Sequence, residues 1–310
     1  MFIAATVSAA GLALPGRSAA GPLDERWHGP RFQVSTDLVL LNVTVGNRPV
    51  LPPLTADRFE VFENGVPQDI QFFAGSEVPK DVAIVLDTSS SMTGKLAAVQ
   101  EAAIGFVSTL KPGDRVSVVG VGSRVTNLQT LTPSPALAAA AIRRARPRGN
   151  TALYNAIYTT IDDLARSAVP GEVRRRVVTV FSDGEDTASV VGLDSLLDVA
   201  RRSGIAIYTI AFDVPLRLPN GADRTRRTEA KFGLKALSTE TGARSFFLTR
   251  MEQVGGTYAA IADELDRQYS LGYLSSNAEK DGGFRRLLVR LKGLAGLART
   301  RRGYYAPAAE

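Results

Sequence analysis

The sequence predicts an α/β chain built on a doubly wound, mainly parallel sheet, with a small β domain formed by the N- and C-terminal segments. Three observations predict this. Between Asp81 and Gln268, near-continuous apolar runs of strand length alternate with stretches of helical period; that is the pattern of a sheet covered on both faces. Ahead of that stretch, Phe32 to Phe73 is rich in β-branched residues and short alternating runs. After it the β pattern returns. The economical arrangement inserts the α/β stretch into one β domain. It reads as a candidate signal peptide at 1–20, a β segment at 21–79, the α/β domain at 80–268 and a second β segment at 269–310.

The elements follow in order. Phe2 to Leu14 is small and apolar, and Ser18 and Ala20 fit cleavage after Ala20. The basic start of an export signal is missing, and the run is too short to span a membrane. The expectation is export to a periplasmic, secreted or cell-surface location. "FQVSTDLVLLNVTV" reads as strand, and Asn64-Gly65 is a hairpin signal between two alternating runs. The core strands are "DVAIVLD", "RVSVVGVG", "RRVVTVFSD" and "GIAIYTIAFD". Between them, "KLAAVQEAAIGFVSTL", "SPALAAAAIRRAR", "ALYNAIYTTIDDLARSA" and "LDSLLDVARRS" have helical period. Pro112-Gly113 and Gly204 stop helices. Val214 to Gly233 reads as a long irregular loop, and Tyr258 to Gln268 as a last helix. "YSLGYLSS", "FRRLLVRLKG" and "RTRRGYYAP" close the chain as strands.

Composition narrows the chemistry. The 310 residues contain no cysteine, which excludes disulfides, thiolate metal sites and cysteine nucleophiles. The formal net charge is +6, but no basic patch is interleaved with aromatics, so nucleic acid is not the expected partner. The single histidine, His28, lies outside the α/β stretch, so a serine–histidine–acid triad lacks its base. No P-loop motif occurs, and the Gly120 and Gly122 pair is too weak a signal for a dinucleotide.

In open α/β sheets, ligands sit at the carboxyl ends of strands. Three such ends carry aspartate here: Asp87, Asp183 and Asp213. "VLDTSSSM" presents Asp87, Ser89 and Ser91 on alternate residues of a turn. "RGNTALYNAI" places Thr151 ahead of a helix. "FSDGED" places Asp183 before a tight turn at Gly184. Each has a plainer reading. Asp87 and Thr151 could be helix N-caps, and Asp183-Gly184 a simple turn. Asp213 reads as structural. Glu185 and Asp186 either add negative potential or are merely solvated. Arg143, Arg144, Arg146 and Arg148 either steer an acidic partner or form a solvated helix end.

Taken in order, D-x-S-x-S, the G-x-T loop and the S-D-G strand end resemble a von Willebrand factor type A (VWA) domain with its metal-ion-dependent adhesion site. The flanking "TADRFEVFENGVPQ", "YSLGY" and "RRGYYAP" resemble exported VWA-related proteins common in acidobacteria. The resemblance implies that Ser89, Ser91 and Thr151 bind Mg²⁺ through their hydroxyls, with Mn²⁺ or Ca²⁺ as alternatives. Asp87 and Asp183 would hold coordinating waters. A protein partner's carboxylate would complete the octahedron. The implied function is cation-dependent protein–protein binding without catalysis, with the last helix as a candidate movable element. Two rivals stand beside it. One is a Mg²⁺-dependent, phosphatase-like hydrolase, which would want a second carboxylate where Ser89 stands. The other is a scaffold module that captures nothing.

Overall fold

The computed structural model describes residues 38–46, 52–169, 171–182, 186–212, 221–293 and 298–309, with the backbone alone over 221–227. All described elements fall in one compact unit, Arg31–Glu310. The candidate signal segment and His28 lie outside the described residues.

The chain opens with β1 (Val39–Val45), β2 (Phe59–Glu63), β3 (Val66–Gln68) and β4 (Ile70–Ala74). Asn64 and Gly65 join β2 to β3 with φ of 49° and 86°. Both central residues are thus left-handed, as the two-residue type I′ hairpin requires. Then come β5 (Lys80–Asp87), α1 (Leu96–Ser108), β6 (Arg115–Val121), β7 (Val125–Thr132), α2 (Pro135–Arg144) and α3 (Leu153–Arg166). They are followed by β8 (Arg175–Ser182), α4 (Leu193–Ser203), β9 (Ala206–Phe212), α5 (Gly221–Glu240), β10 (Ser245–Leu248) and α6 (Gln253–Asp266). Strands β11 (Gln268–Tyr273), β12 (Phe284–Leu291), β13 (Ala298–Arg299) and β14 (Gly303–Tyr305) complete it.

The central sheet has the order β10-β9-β8-β5-β6-β7. All its pairings are parallel except β6 with β7. Strand β5 lies in the middle, and all eight of its residues are buried. Its alternate side chains feed two cores. Val82, Ile84 and Leu86 pack with Val99, Ile142 and Ile261 on one face. Ala83 and Val85 pack with Ile157, Leu196 and Leu237 on the other. A strand covered by helices on both sides has no polar face to show, which is why its sequence reads as an unbroken apolar run.

The remaining strands form two antiparallel sheets, β13-β1-β11-β4 and β14-β12-β2-β3. Each one joins the two chain ends: β1 pairs with β11, and β2 with β12. Leu41, Val43, Phe59, Val61, Leu271, Tyr273 and Val289 form their shared core. Strand β12 alternates strictly between exposed and buried residues, the mark of a sheet with one solvated face.

Three expectations need correction. Val214 to Gly233 is not one long loop, because α5 begins at Gly221. Its first turns are charged, so the apolar period emerges only at Ala230, Leu234 and Leu237, which are buried. Residues 213–220, including Asp213, lie outside the described residues. The last helix is Gln253–Asp266 rather than 258–268, and Gln268 is the first residue of β11. The side chain of Gln253 accepts from the backbone N–H groups of Thr249 and Arg250, which secures this earlier start. Strands β7 and β10 were not anticipated. β7 is a polar edge strand with no continuous apolar run, and β10 has only four residues. Among the described residues no helix is long and apolar enough to cross a membrane.

Candidate metal centre

Asp87 ends the central strand and is fully buried. Its Oδ1 accepts from the backbone N–H of Ser89 at 2.8 Å, and its Oδ2 from the Ser182 hydroxyl on β8 at 2.7 Å. The carboxylate is therefore clamped between its own turn and the neighbouring strand. The chain then makes a short 3-10 turn, Ser90–Met92. Met92 is buried in the core and anchors the turn from below. Above it, the Ser89 and Ser91 hydroxyl oxygens lie 2.8 Å apart. Thr88, between Asp87 and Ser89, fixes the turn to the neighbouring strand. Its N–H and its hydroxyl both donate to the Val121 carbonyl, at 2.7 and 2.9 Å, which pins the turn to β6. Asp87 caps no α-helix: α1 begins only at Leu96, and Lys95 holds its N-cap position.

The loop carrying Thr151 is stitched to this turn through main chain. Arg148 N donates to Thr88 O at 2.6 Å, Ser90 N to Gly149 O at 3.0 Å and Ala152 N to Gly122 O at 2.9 Å. Gly149 has φ of +71°, and a Cβ there would lie 2.4 Å from the Ser123 hydroxyl. Only glycine turns the chain back at that point. Thr151 is buried and is not the cap of α3, whose N-cap position is Ala152. The cap comes from another loop. Asp186 Oδ1 accepts from Leu153 N at 2.8 Å and from the Ser189 hydroxyl at 2.7 Å. Thr187 N and Ala188 N donate to the Thr151 carbonyl. The Asn155 side chain accepts from Val190 N and Val191 N. The segment after β8 is thus bound to the start of α3, and Thr151 sits between them.

Of the five residues predicted for the site, the structure brings Asp87, Ser89 and Ser91 into one turn and sets Thr151 in the loop bonded to it. Asp183 lies outside the described residues, as do Gly184 and Glu185. Sequence reasoning missed the roles of Ser182 and Asp186. Ser182 had a signal, as the serine of S-D-G. Asp186 had none, because the helix it caps begins 33 residues earlier in the chain.

The donor set fits a hard divalent cation. Oxygen ligands of Mg²⁺ lie at about 2.0–2.1 Å, so neighbouring ligands of an octahedron are about 2.9 Å apart. The Ser89 and Ser91 hydroxyls are hydrogen-bonded to each other at 2.8 Å, an ordinary O–H···O distance that also leaves both oxygens close enough to share one cation. The donors the turn itself offers beside Asp87 are the Ser89 and Ser91 hydroxyls. Beside the turn opens a cavity of about 560 Å³, lined by Thr88, Gly149, Arg124, Arg144, Arg146 and Arg148 among others, and among the described residues no acidic one lines it. Arg146 donates to the carbonyls of Arg143 and Ala145.

Comparison with known proteins agrees with this architecture. The von Willebrand factor type A domain family matches residues 82–185. A UPF0353 protein of Mycobacterium sp. (strain KMS) is 26% identical over 240 residues, spanning 71% of this chain and 70% of that one. Proximal thread matrix protein 1 from the mussel byssus, with a zinc occupied MIDAS motif, superposes with a TM-score of 0.50 at 16% identity, over 66% of this chain and 49% of that chain. The vWF domain of the type V pili tip protein Mfa5 from Porphyromonas gingivalis gives 0.49 at 15% identity, over 60% and 94%. At 16% identity the likeness to the mussel protein is one of fold alone.

Proposed function

From the premise that this chain carries a von Willebrand factor type A domain, we propose that it captures an acidic protein partner through a divalent cation and performs no catalysis. The observation that carries this reading is the Ser89–Ser91 hydroxyl pair, hydrogen-bonded at 2.8 Å so that both oxygens could reach one cation, with Asp87 clamped behind it. Ser89, Ser91 and Thr151 would hold Mg²⁺, or Mn²⁺ or Ca²⁺, through their hydroxyls. Asp87 and Asp183 would act through bound water. The cation supplies an electrophilic position for a partner carboxylate, since neutral donors leave its charge largely uncompensated. The chain's own residues do the rest: Asp87 orients the turn, Thr88 pins it to β6, and the arginines beside it attract negative charge. Export, expected from the N-terminal segment, belongs to the same proposal.

Titration of Mg²⁺, Mn²⁺, Ca²⁺ and Zn²⁺, the ion in the mussel protein, into chelator-stripped protein tests the site directly. Saturable binding by wild type, lost in a Ser89→Ala/Thr151→Ala double variant, is the expected result. Equal binding by that variant would remove these residues from the site. Partner capture should then be abolished by chelator and restored by added cation.

A second expectation concerns the arginine-lined cavity. Reversing charge at Arg124, Arg144 and Arg148 should slow association with an acidic partner by about tenfold or more at low salt and flatten its salt dependence. Cation affinity should change little. Stopped-flow association at several ionic strengths measures this; an unchanged rate would show that these arginines are only a solvated rim.

A further inference from the structure

A second cavity, of about 680 Å³, lies at the other end of the central sheet, between the start of β8 and the strands contributed by the chain ends. Arg176, on its wall, precedes Ser182 by six residues on one strand, so the two sites are about 20 Å apart. Among the described residues, six basic side chains line this cavity against two acidic ones, Glu172 and Glu279.

Most of the basic groups are accounted for. Arg174 pairs with Asp81 at 2.8 Å and Glu172 at 3.1 Å. Arg285 pairs with Glu63 at 3.3 Å. Arg202 pairs with Asp198 at 2.9 Å and stacks on the Tyr305 ring. Lys280 and Glu279 are both exposed at the rim. Arg176 and Arg301 remain. Neither has a carboxylate within ion-pair distance among the described residues. Arg301 donates to the Leu40 carbonyl at 3.1 Å, and its Nη1 lies beside Gly204 at the C-terminal end of α4. A helix C-terminus attracts a cation but supplies only a fractional charge. The Nε atoms of Arg176, Arg285 and Arg301 are all buried without a hydrogen-bond partner.

Both residues are half-buried, and the nearest carboxylate to Arg176, its cross-strand neighbour Asp81, already pairs with Arg115 and Arg174; guanidinium groups so placed are incompletely compensated, which is costly. Burial pushes both Arg176 and Arg301 below the usual arginine pKa, yet that range lies so high that each still carries its charge at neutral pH. The lining also carries apolar side chains, of which Leu40, beside Arg301, and Leu274 are exposed. We propose that this cavity is a binding site for a small organic oxyanion, a carboxylate or a phosphate on an apolar body. Arg176 and Arg301 would supply its counter-charge, and Leu40 and Leu274 would cover its apolar part. The volume lies within the range of small-molecule sites, and guanidinium forks suit either oxyanion.

The test is calorimetric titration of the full chain with phenyl phosphate and with benzoate at matched ionic strength, with benzyl alcohol as the neutral control. Saturable binding of at least one anion and none of the alcohol is expected, and the stronger of the two identifies the headgroup. Arg176→Gln and Arg301→Gln should each weaken binding by about tenfold or more. Arg176→Lys and Arg301→Lys keep the charge and spare the fold; they should weaken it less. Circular dichroism checks that each variant is folded. The proposal is overturned by absence of saturable binding with both anions, by equal binding of the alcohol, or by folded variants that bind as wild type does. Ser89→Ala should leave this binding unchanged, which separates the cavity from the cation site.

Discussion

Asp87→Asn should weaken Mg²⁺ binding by about 100-fold, the upper range for loss of a group that orients metal ligands, while the protein stays folded. The physical reason is the clamp. One carboxylate oxygen holds the Ser89 N–H and the other the Ser182 hydroxyl. Asparagine keeps the shape and one acceptor, but it removes the charge and turns a donor toward Ser182. Asp87→Ala is harsher. It removes the acceptor of the buried Ser89 N–H, at about 1–3 kcal/mol, and the bond from the Ser182 hydroxyl. The alanine variant should therefore unfold several degrees below wild type, and the asparagine variant close to it. Calorimetric titration beside thermal unfolding separates the two effects. Wild-type cation affinity in Asp87→Asn would refute the role proposed for this carboxylate.

The largest stability effect is expected away from the cation site, at Glu63. This carboxylate is buried at the end of β2. Its Oε2 accepts from Tyr273 on β11 at 2.7 Å and from Tyr304 on β14 at 2.8 Å. Its Oε1 accepts from the Ser275 hydroxyl at 2.7 Å and from Arg285 on β12 at 3.3 Å. One side chain thus ties together both small sheets. Glu63→Ala should destabilise the protein by about 3–5 kcal/mol, because it takes from the buried Arg285 its nearer carboxylate, leaving Asp281 at 3.9 Å, and from Tyr273, Tyr304 and Ser275 their shared acceptor. Chemical denaturation measures the loss; a change below about 1 kcal/mol would show that water replaces the carboxylate at little cost.

The same group predicts a pH dependence. Burial pushes the Glu63 carboxyl up, but the bonds from Tyr273, Ser275 and Tyr304 and the charge of Arg285 outweigh it, so its pKa lies below the ordinary carboxylate value. A depressed folded pKa means that the unfolded chain takes up the proton first as pH falls. This contribution is complete above the ordinary glutamate range near 4.5 and is lost as pH falls through that value toward the folded one. Stability measured from pH 6 down to pH 3 should fall less steeply in Glu63→Gln than in wild type. Parallel slopes would assign the acid sensitivity to other carboxylates.

This network also gives physical content to sequence segments that were legible only as a resemblance. Glu63 belongs to "FENG", Tyr273 to "YSLGY" and Tyr304 to "RRGYYAP", and all three meet at one buried carboxylate. Nothing local marks them for it: Glu63 and Tyr304 are 241 residues apart. The site residues divide in the same way. Asp87, Ser89 and Ser91 were readable because they share one turn, and Thr151 because a short motif marks its loop. Asp186 was not, because a side chain that caps a helix from a distant loop leaves no periodic or motif signal.

The sequence by itself determined the alternation of strands and helices, the doubly wound sheet, the Asn64-Gly65 hairpin and the turn that follows β5. Those properties depend on hydrophobic period and backbone preference over a few neighbouring residues. Only the tertiary structure decided that α5 replaces an expected loop, that the β domain expected from the two chain ends is built as two separate sheets, and that Glu63 and Asp186 act as they do. It also decided that Arg176 and Arg301 line one cavity with no carboxylate within ion-pair distance of either among the described residues. The physical reason is that hydrogen bonds and charge compensation are settled by what lies within a few ångströms in space, and the chain brings those groups together only after it has folded.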